Sequence, residues 1–217
     1  MAKKQKILRY IAIEDVFWFV EINNGNAPIE KCIAGFGVNR VICLQNATLA
    51  IMITVISGTS RADSMTLRTS KIYHNLLQEM GVASRLLSLE NKQVWERGAS
   101  MLELESEYLI PAEKFVIIMP EYNASFPGIL KTMMDNSDIK KCWWHKKALL
   151  TGISDGRAGN LRGIEHMTSI LHYMRVHVHY NKLVLSRIND EIDKDGNIKK
   201  NETAAVIQQQ IEDFIKF

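Results

Sequence analysis

Cysteine is scarce in this chain: Cys32, Cys43 and Cys142 are widely spaced and form no C-x-x-C pair. That argues against a disulfide framework and fits a reducing compartment, with the cytoplasm as the default location. Long apolar runs are missing as well, and none approaches the ~18 consecutive residues of a membrane helix. The start Met1-Ala2-Lys3-Lys4-Gln5-Lys6 has the charge of a leader peptide. Glu14 and Asp15 then break the apolar stretch, and no convincing small-residue cleavage site follows. Charge of one sign is also lacking. Lys and Arg number 27 against 24 Asp and Glu, a net +3, and no basic stripe interleaves with aromatics, so nucleic acid is not an expected partner. What remains, 47% hydrophobic and 24% charged over 217 residues, suits a globular protein with one sizeable core.

Of the four prolines, two bracket the most informative stretch. Phe115-Val116-Ile117-Ile118-Met119 is a short, β-branched, uninterrupted apolar run, as expected of a strand buried on both faces. Pro120 stops it, and Glu121-Tyr122-Asn123-Ala124-Ser125-Phe126 follow with turn chemistry. Pro127 suits the first turn of a helix, with Ser125 or Asn123 near its cap.

A second strand-to-helix loop runs from Gly58 to Thr66, after the strand-like Met52–Ser57. Tyr73, Leu76, Leu77 and Met80 then recur at helical spacing, and Gly81 makes a plausible stop. A phosphate monoester needs donors converging on its oxygens without bulk in the way. Gly58 allows close approach, Thr59, Ser64 and Thr66 bring hydroxyls, and Arg61 brings a charged fork beside the first amides of the helix. Taken alone, the same loop also reads as a solvated turn.

Strands are expected near 53–57, 84–89, 114–119, 147–152 and 175–186, the last interrupted, with helices near 64–80, 127–136, 159–173 and 202–216. This alternation specifies an α/β fold with a parallel sheet and helices on both faces. Residues 91–111 stay ambiguous between a short helix and a surface loop, because Glu103, Glu105 and Glu107 alternate beside Leu102, Leu104 and Tyr108.

The paired loops resemble those of the NADPH-dependent FMN reductase family, flavodoxin-like proteins that include quinone, azo-dye and chromate reductases. The family's first motif, roughly G-S-x-R-x-x-S-x-T/N, is matched by Gly58, Thr59, Arg61, Ser64 and Thr66. Its second, P-E-Y-N-x-S-x-P-G-x-L-K, is matched by Pro120 to Asn123, Ser125, Pro127, Gly128, Leu130 and Lys131. The segment Gly152–Asn160 is similar to the family's Gly-rich loop after the fourth strand. Thr59 departs from the usual serine but keeps the hydroxyl.

The resemblance covers about residues 52–217. It implies a flavodoxin-like, doubly wound, five-stranded parallel sheet that holds FMN at the switch point between its first and third strands. By the same resemblance, the phosphate rests on the loop of Gly58, Thr59, Ser60, Arg61, Ser64 and Thr66. Pro120, Glu121, Tyr122, Asn123, Ser125 and Phe126 cup the isoalloxazine, with Tyr122 or Phe126 as an apolar wall, and Ser154, Gly156 and Gly159 complete the site. Implied too are NADPH or NADH as electron donor, a small-molecule acceptor such as a quinone, ping-pong turnover, and a homo-oligomer (dimer or tetramer). The rival class is a flavodoxin-like electron carrier that never oxidises a nicotinamide. Such carriers tend to be acidic, and this chain is not.

Residues 1–51 show no sustained periodicity and stand outside the pattern, either as a genuine arm or as translation from a start codon upstream of Met52. Gly35-Phe36-Gly37-Val38-Asn39-Arg40 misses the third glycine of G-x-G-x-x-G and reads as a decoy. His172, His177 and His179 lack an acidic or thiol partner at ligand spacing, so no metal is expected. Trp143 and Trp144 read as a partly buried corner.

Overall fold

The computed structural model describes residues 51–217 throughout and, within 1–50, the backbone of four short strands. The chain divides into two compact units at Ala50/Ile51. In the first unit, β1 (Ile7–Ile13) pairs antiparallel with β2 (Val16–Ile22), and β3 (Glu30–Ile33) with β4 (Ile42–Gln45). This corrects the expectation of an unpatterned segment. Ile13 is paired with Val16, the last step of the register that runs from Ile7 opposite Ile22. The G-x-G near-miss falls between β3 and β4, outside the described residues, and the next element is a strand rather than a helix.

The second unit is built on β5 (Ile53–Ser57), β6 (Ser84–Ser88), β7 (Lys114–Pro120), β8 (Lys147–Ile153), β9 (His177–Val178) and β10 (Leu183–Leu185). All pairings are parallel, in the order β10-β8-β7-β5-β6, with β9 also on β8. The sheet is the flavodoxin-like one expected, and its fifth position is filled by two pieces. β9 pairs with the start of β8 and β10 with its end, while the residues between turn away to meet the last helix. There the Asn181 carbonyl accepts from Gln210 Nε2, and the His179 ring packs edge-on against Phe214 and Phe217.

The helices are α1 (Met65–Glu79), α2 (Ala99–Leu104, running into a π-helical turn at Glu105–Leu109), α3 (Gly128–Asn136), α4 (Ile139–Cys142), α5 (Leu161–Tyr173), α6 (Ile188–Glu191) and α7 (Asn201–Lys216). β7 shows why two layers of helix are needed. Phe115, Ile117 and Met119 enter one apolar cluster and Val116 and Ile118 the other, so each face demands its own cover. Burial of such side chains contributes roughly 1.5–3 kcal/mol each. A hydroxyl cluster crosses the second layer. The Tyr73 hydroxyl of α1 bonds Thr151 of β8 at 2.9 Å and donates to Gln210 Oε1 of α7 at 2.6 Å. With all three buried, each must find its partner inside the protein.

The ambiguous stretch 91–111 is helical only from Ala99 to Leu109, after an irregular lead-in. Its middle glutamate, Glu105, is only 3% exposed and takes a two-pronged ion pair from Arg97 together with the Asp138 backbone N–H. Trp143 is wholly buried rather than a partly buried corner, stacked near Phe115 and donating to the Ser137 hydroxyl at 2.7 Å.

Candidate functional site

β6 and β7 flank β5 on opposite sides, so the crossovers leaving β5 and β7 diverge and open a crevice at the carboxyl edge. A cavity of about 640 Å³ lies there, a size usual for a cofactor pocket. Three loops wall it. The first brings Arg61, Ser64 and Thr66, the second Pro120 to Asn123, and the third Ser154 and Gly156.

The first loop ends where Ser64 caps α1, its hydroxyl accepting the Leu67 N–H at 3.1 Å. That satisfies one orphan amide of the helix and leaves the N–H groups of Met65 and Thr66, residues that line the cavity, at its positive end. Gly58 serves a different purpose from close approach to a ligand. Its N–H donates to the Ile118 carbonyl, and a Cβ there would come within 2.8 Å of that oxygen and 3.0 Å of Leu130. Thr59 is 1% exposed, its hydroxyl sharing a 2.8 Å hydrogen bond with the Tyr122 hydroxyl and accepting from the Arg61 N–H. It ties the first loop to the second rather than facing the cavity. Ser60 is exposed and off the cavity wall. The Arg61 guanidinium lies across the mouth, 4.3 Å above the Tyr122 ring.

In the second loop, Tyr122 and Ser125 exchange backbone hydrogen bonds of 2.8 and 3.1 Å around Asn123 and Ala124, whose φ values are 51° and 65°. Both central residues are left-handed, as in a type I′ turn; asparagine tolerates this readily and alanine less so. Ser125 leaves the cavity to bond His166 Nδ1 on α5 at 2.9 Å, and Phe126 packs onto the core. Neither Ser125 nor Asn123 caps the next helix: Pro127 holds the N-cap position of α3, with no side-chain cap.

The third loop is fastened from beneath. Asn160, fully buried and left-handed, donates from Nδ2 to the Met119 and Pro120 carbonyls at 3.1 and 3.0 Å, which locks the loop to the end of β7. Gly152 and Gly159 sit back to back: a Cβ on Gly152 would lie 2.4 Å from the Gly159 carbonyl oxygen. Gly159 is therefore part of the packing under the loop, not of the cavity wall.

Ala62, Met65, Ala124, Ile153, Asp155, Ile188 and Asn189 line the cavity without having been singled out in the sequence. Ile188 and Asn189 come from α6. They are drawn in because Ile188 N–H donates to the Ser154 carbonyl, Arg187 N–H to that of Gly156, and Asn189 to the Asp155 carboxylate. No motif announces them. His179, set aside above as a metal ligand, is buried, with burial holding its pKa below the ordinary value.

A helix end rich in N–H and hydroxyl donors beside an arginine suits a phosphate, and the flatter wall of Pro120, Tyr122 and Ile153 suits a ring system. The residues present fit FMN. Comparison with known proteins agrees. Residues 51–190 match the NADPH-dependent FMN reductase family. An NAD(P)H-dependent FMN reductase of Pseudomonas aeruginosa is 27% identical over 130 residues, 58% of this chain and 70% of the relative. A 2-hydroxy-1,4-benzoquinone reductase of Burkholderia is 26% identical over 106 residues, 47% of this chain and 58% of the relative. Among solved structures, the flavoenzyme FerB, an NAD(P)H:(acceptor) oxidoreductase from Paracoccus denitrificans, superposes with a TM-score of 0.61 at 21% identity, covering 76% of this chain and 95% of its own. At that identity the likeness speaks for the fold.

Proposed function

Because the chain belongs to the NADPH-dependent FMN reductase family, whose cofactor is FMN and whose electron donor is NAD(P)H, we propose that it passes electrons from the nicotinamide through bound flavin to a quinone or similar small acceptor, in ping-pong turnover. The observation that carries this reading is the convergence of the α1 N-terminus and the Pro120–Asn123 loop on one cavity. FMN, when bound, supplies the hydride chemistry. The protein binds and orients. Ser64, Thr66, Arg61 and the free amides of α1 would hold the phosphate. Pro120, Tyr122 and Asn123, stiffened by the hairpin-like turn and by the Thr59–Tyr122 bond, would hold the ring. No side-chain base is required for hydride transfer, and Glu121, the one acid in that loop, sits 4.0 Å from Arg162 as an outlying ion pair.

A homo-oligomer in a reducing compartment completes the reading. A groove of about 570 Å³ beside α5, walled by Met134, Ile139, Ile170 and Tyr173, and the 84% exposure of Tyr173 support a covering subunit. No helix among the described residues is long and apolar enough to cross a membrane.

Anaerobic mixing of the yellow protein with NADH or NADPH is expected to bleach the flavin within one turnover, and a quinone should then restore the colour. Reduction by dithionite but by neither nicotinamide would turn the reading to an electron carrier. We assign the whole of this activity to residues 52–217, since the described residues that line the cavity all fall between Arg61 and Asn189. A chain starting at Met52 is therefore expected to match the full chain in thermal melting and flavin content. A large loss of either would show that the N-terminal unit contributes.

A further inference from the structure

At the opposite, amino edge of the sheet lies a second cavity, of about 450 Å³. Lys114, Lys146, Lys147 and Lys216 line it, with Glu113 the one acidic side chain among the described residues there. Sequence and topology together produce this concentration. Lys114 opens β7 and Lys147 opens β8, and the parallel register sets these two residues side by side. Like charges directly opposite each other on neighbouring strands are destabilising, so the arrangement is a cost that the fold itself does not require.

Part of that cost is met by helix ends. Lys114 Nζ donates to the Phe214 and Ile215 carbonyls, both at 2.9 Å, at the close of α7. Lys146 Nζ donates to the Leu109 and Ile110 carbonyls at 2.5 and 3.0 Å, where the π-helical turn ends, and Lys147 Nζ to the main-chain oxygen of Phe217. Carbonyls within the chain carry only partial charge. Among the described residues no Asp or Glu carboxylate comes within ion-pair distance of Lys114, Lys146 or Lys147. Lys114 is moreover 4% exposed. Burial, with Lys147 beside it, holds the Lys114 ammonium below its ordinary pKa, and burial brings Lys146 down to about 8. An ammonium has three donors, so among the described residues Lys114 and Lys146 each keep one unspent and Lys147 keeps two. Ile110, Ile215 and Phe217 add apolar wall beside them, and the space exceeds what a bare inorganic ion would fill.

We infer that this amino-edge cavity binds a small organic phosphate, its anion held by Lys146, Lys147 and Lys216 and its apolar body laid against Ile215 and Phe217. The site is separate from the flavin cavity and does not depend on the redox reading. It gives the chain a second ligand.

Calorimetric titration of the FMN-loaded protein with adenosine 5′-monophosphate tests this, with adenosine and inorganic phosphate as the two control arms. Binding of the nucleotide at submillimolar concentration is expected, with each control at least about tenfold weaker, the scale of one lost charged hydrogen bond. Lys216→Gln, at an exposed residue, and Lys147→Gln should each weaken the nucleotide by about tenfold or more while leaving flavin content and melting of the ligand-free protein in place. Absence of heat up to about 10 mM nucleotide overturns the inference. So does equal binding of adenosine or of inorganic phosphate, indifference to both substitutions, or displacement of the nucleotide by NADPH, which would put it at the reductase site instead.

Discussion

Gly152→Ala is expected to destabilise the protein by about 1–3 kcal/mol and to lower its flavin content, although residue 152 does not line the flavin cavity. The added methyl would stand 2.4 Å from the Gly159 carbonyl oxygen and 2.9 Å from Ile164 Cδ1. A side-chain tip could swing away; a backbone oxygen moves only with its chain. Gly159 has nowhere to retreat, because the backbone of β10 and Ser186 lies behind it. The loop carrying Ser154 and Gly156 must therefore shift as a body, and those two residues line the cavity. Urea melting and the flavin-to-protein absorbance ratio read the two effects. Unchanged values for both would show that the third loop has slack.

Arg61→Ala is expected to weaken FMN by about 1.5–3 kcal/mol, roughly ten- to 150-fold, and to leave riboflavin affinity where it was. The guanidinium rests on Tyr122. An exposed cation–π contact is worth about 0.5–1 kcal/mol, less than a charged hydrogen bond to phosphate, so the phosphate wins the competition for this side chain. Fluorescence titration of the apoprotein with both flavins separates the outcomes. An equal loss for riboflavin would recast Arg61 as a clamp on the Tyr122 loop.

The sheet was legible because β7 must be buried twice over, and five apolar residues in a row can do that only as a central strand. The first two site loops were legible because glycine, proline and hydroxyl residues at strand ends have narrow uses. Their residues divide in a way no motif reveals. Gly58, Thr59 and Phe126 hold the loops in place, whereas Arg61, Ser64 and Tyr122 face the space between them. Glu105 misled for a related reason. Its alternation with Glu103 and Glu107 mimics a solvated face, yet Arg97 and the Asp138 amide, the latter 33 positions away, take it inside. Ile188 and Asn189 reach the cavity only through backbone bonds to the third loop, which local sequence does not encode. The pairing of β1 with β2 was missed because their apolar residues run together without the strict alternation that marks a half-buried strand.

The bond from Tyr73 to Gln210 spans 137 positions and has a consequence for biosynthesis. On the ribosome, β5 to β8 can emerge and pair while α7 is still in the exit tunnel. Until Gln210 arrives, the Tyr73 and Thr151 hydroxyls have each other and water, and the apolar surface destined for Ile207, Ile211 and Phe214 stays open to solvent. The nascent domain must then wait for its last helix, exposed in the meantime to chaperones and to association with other chains.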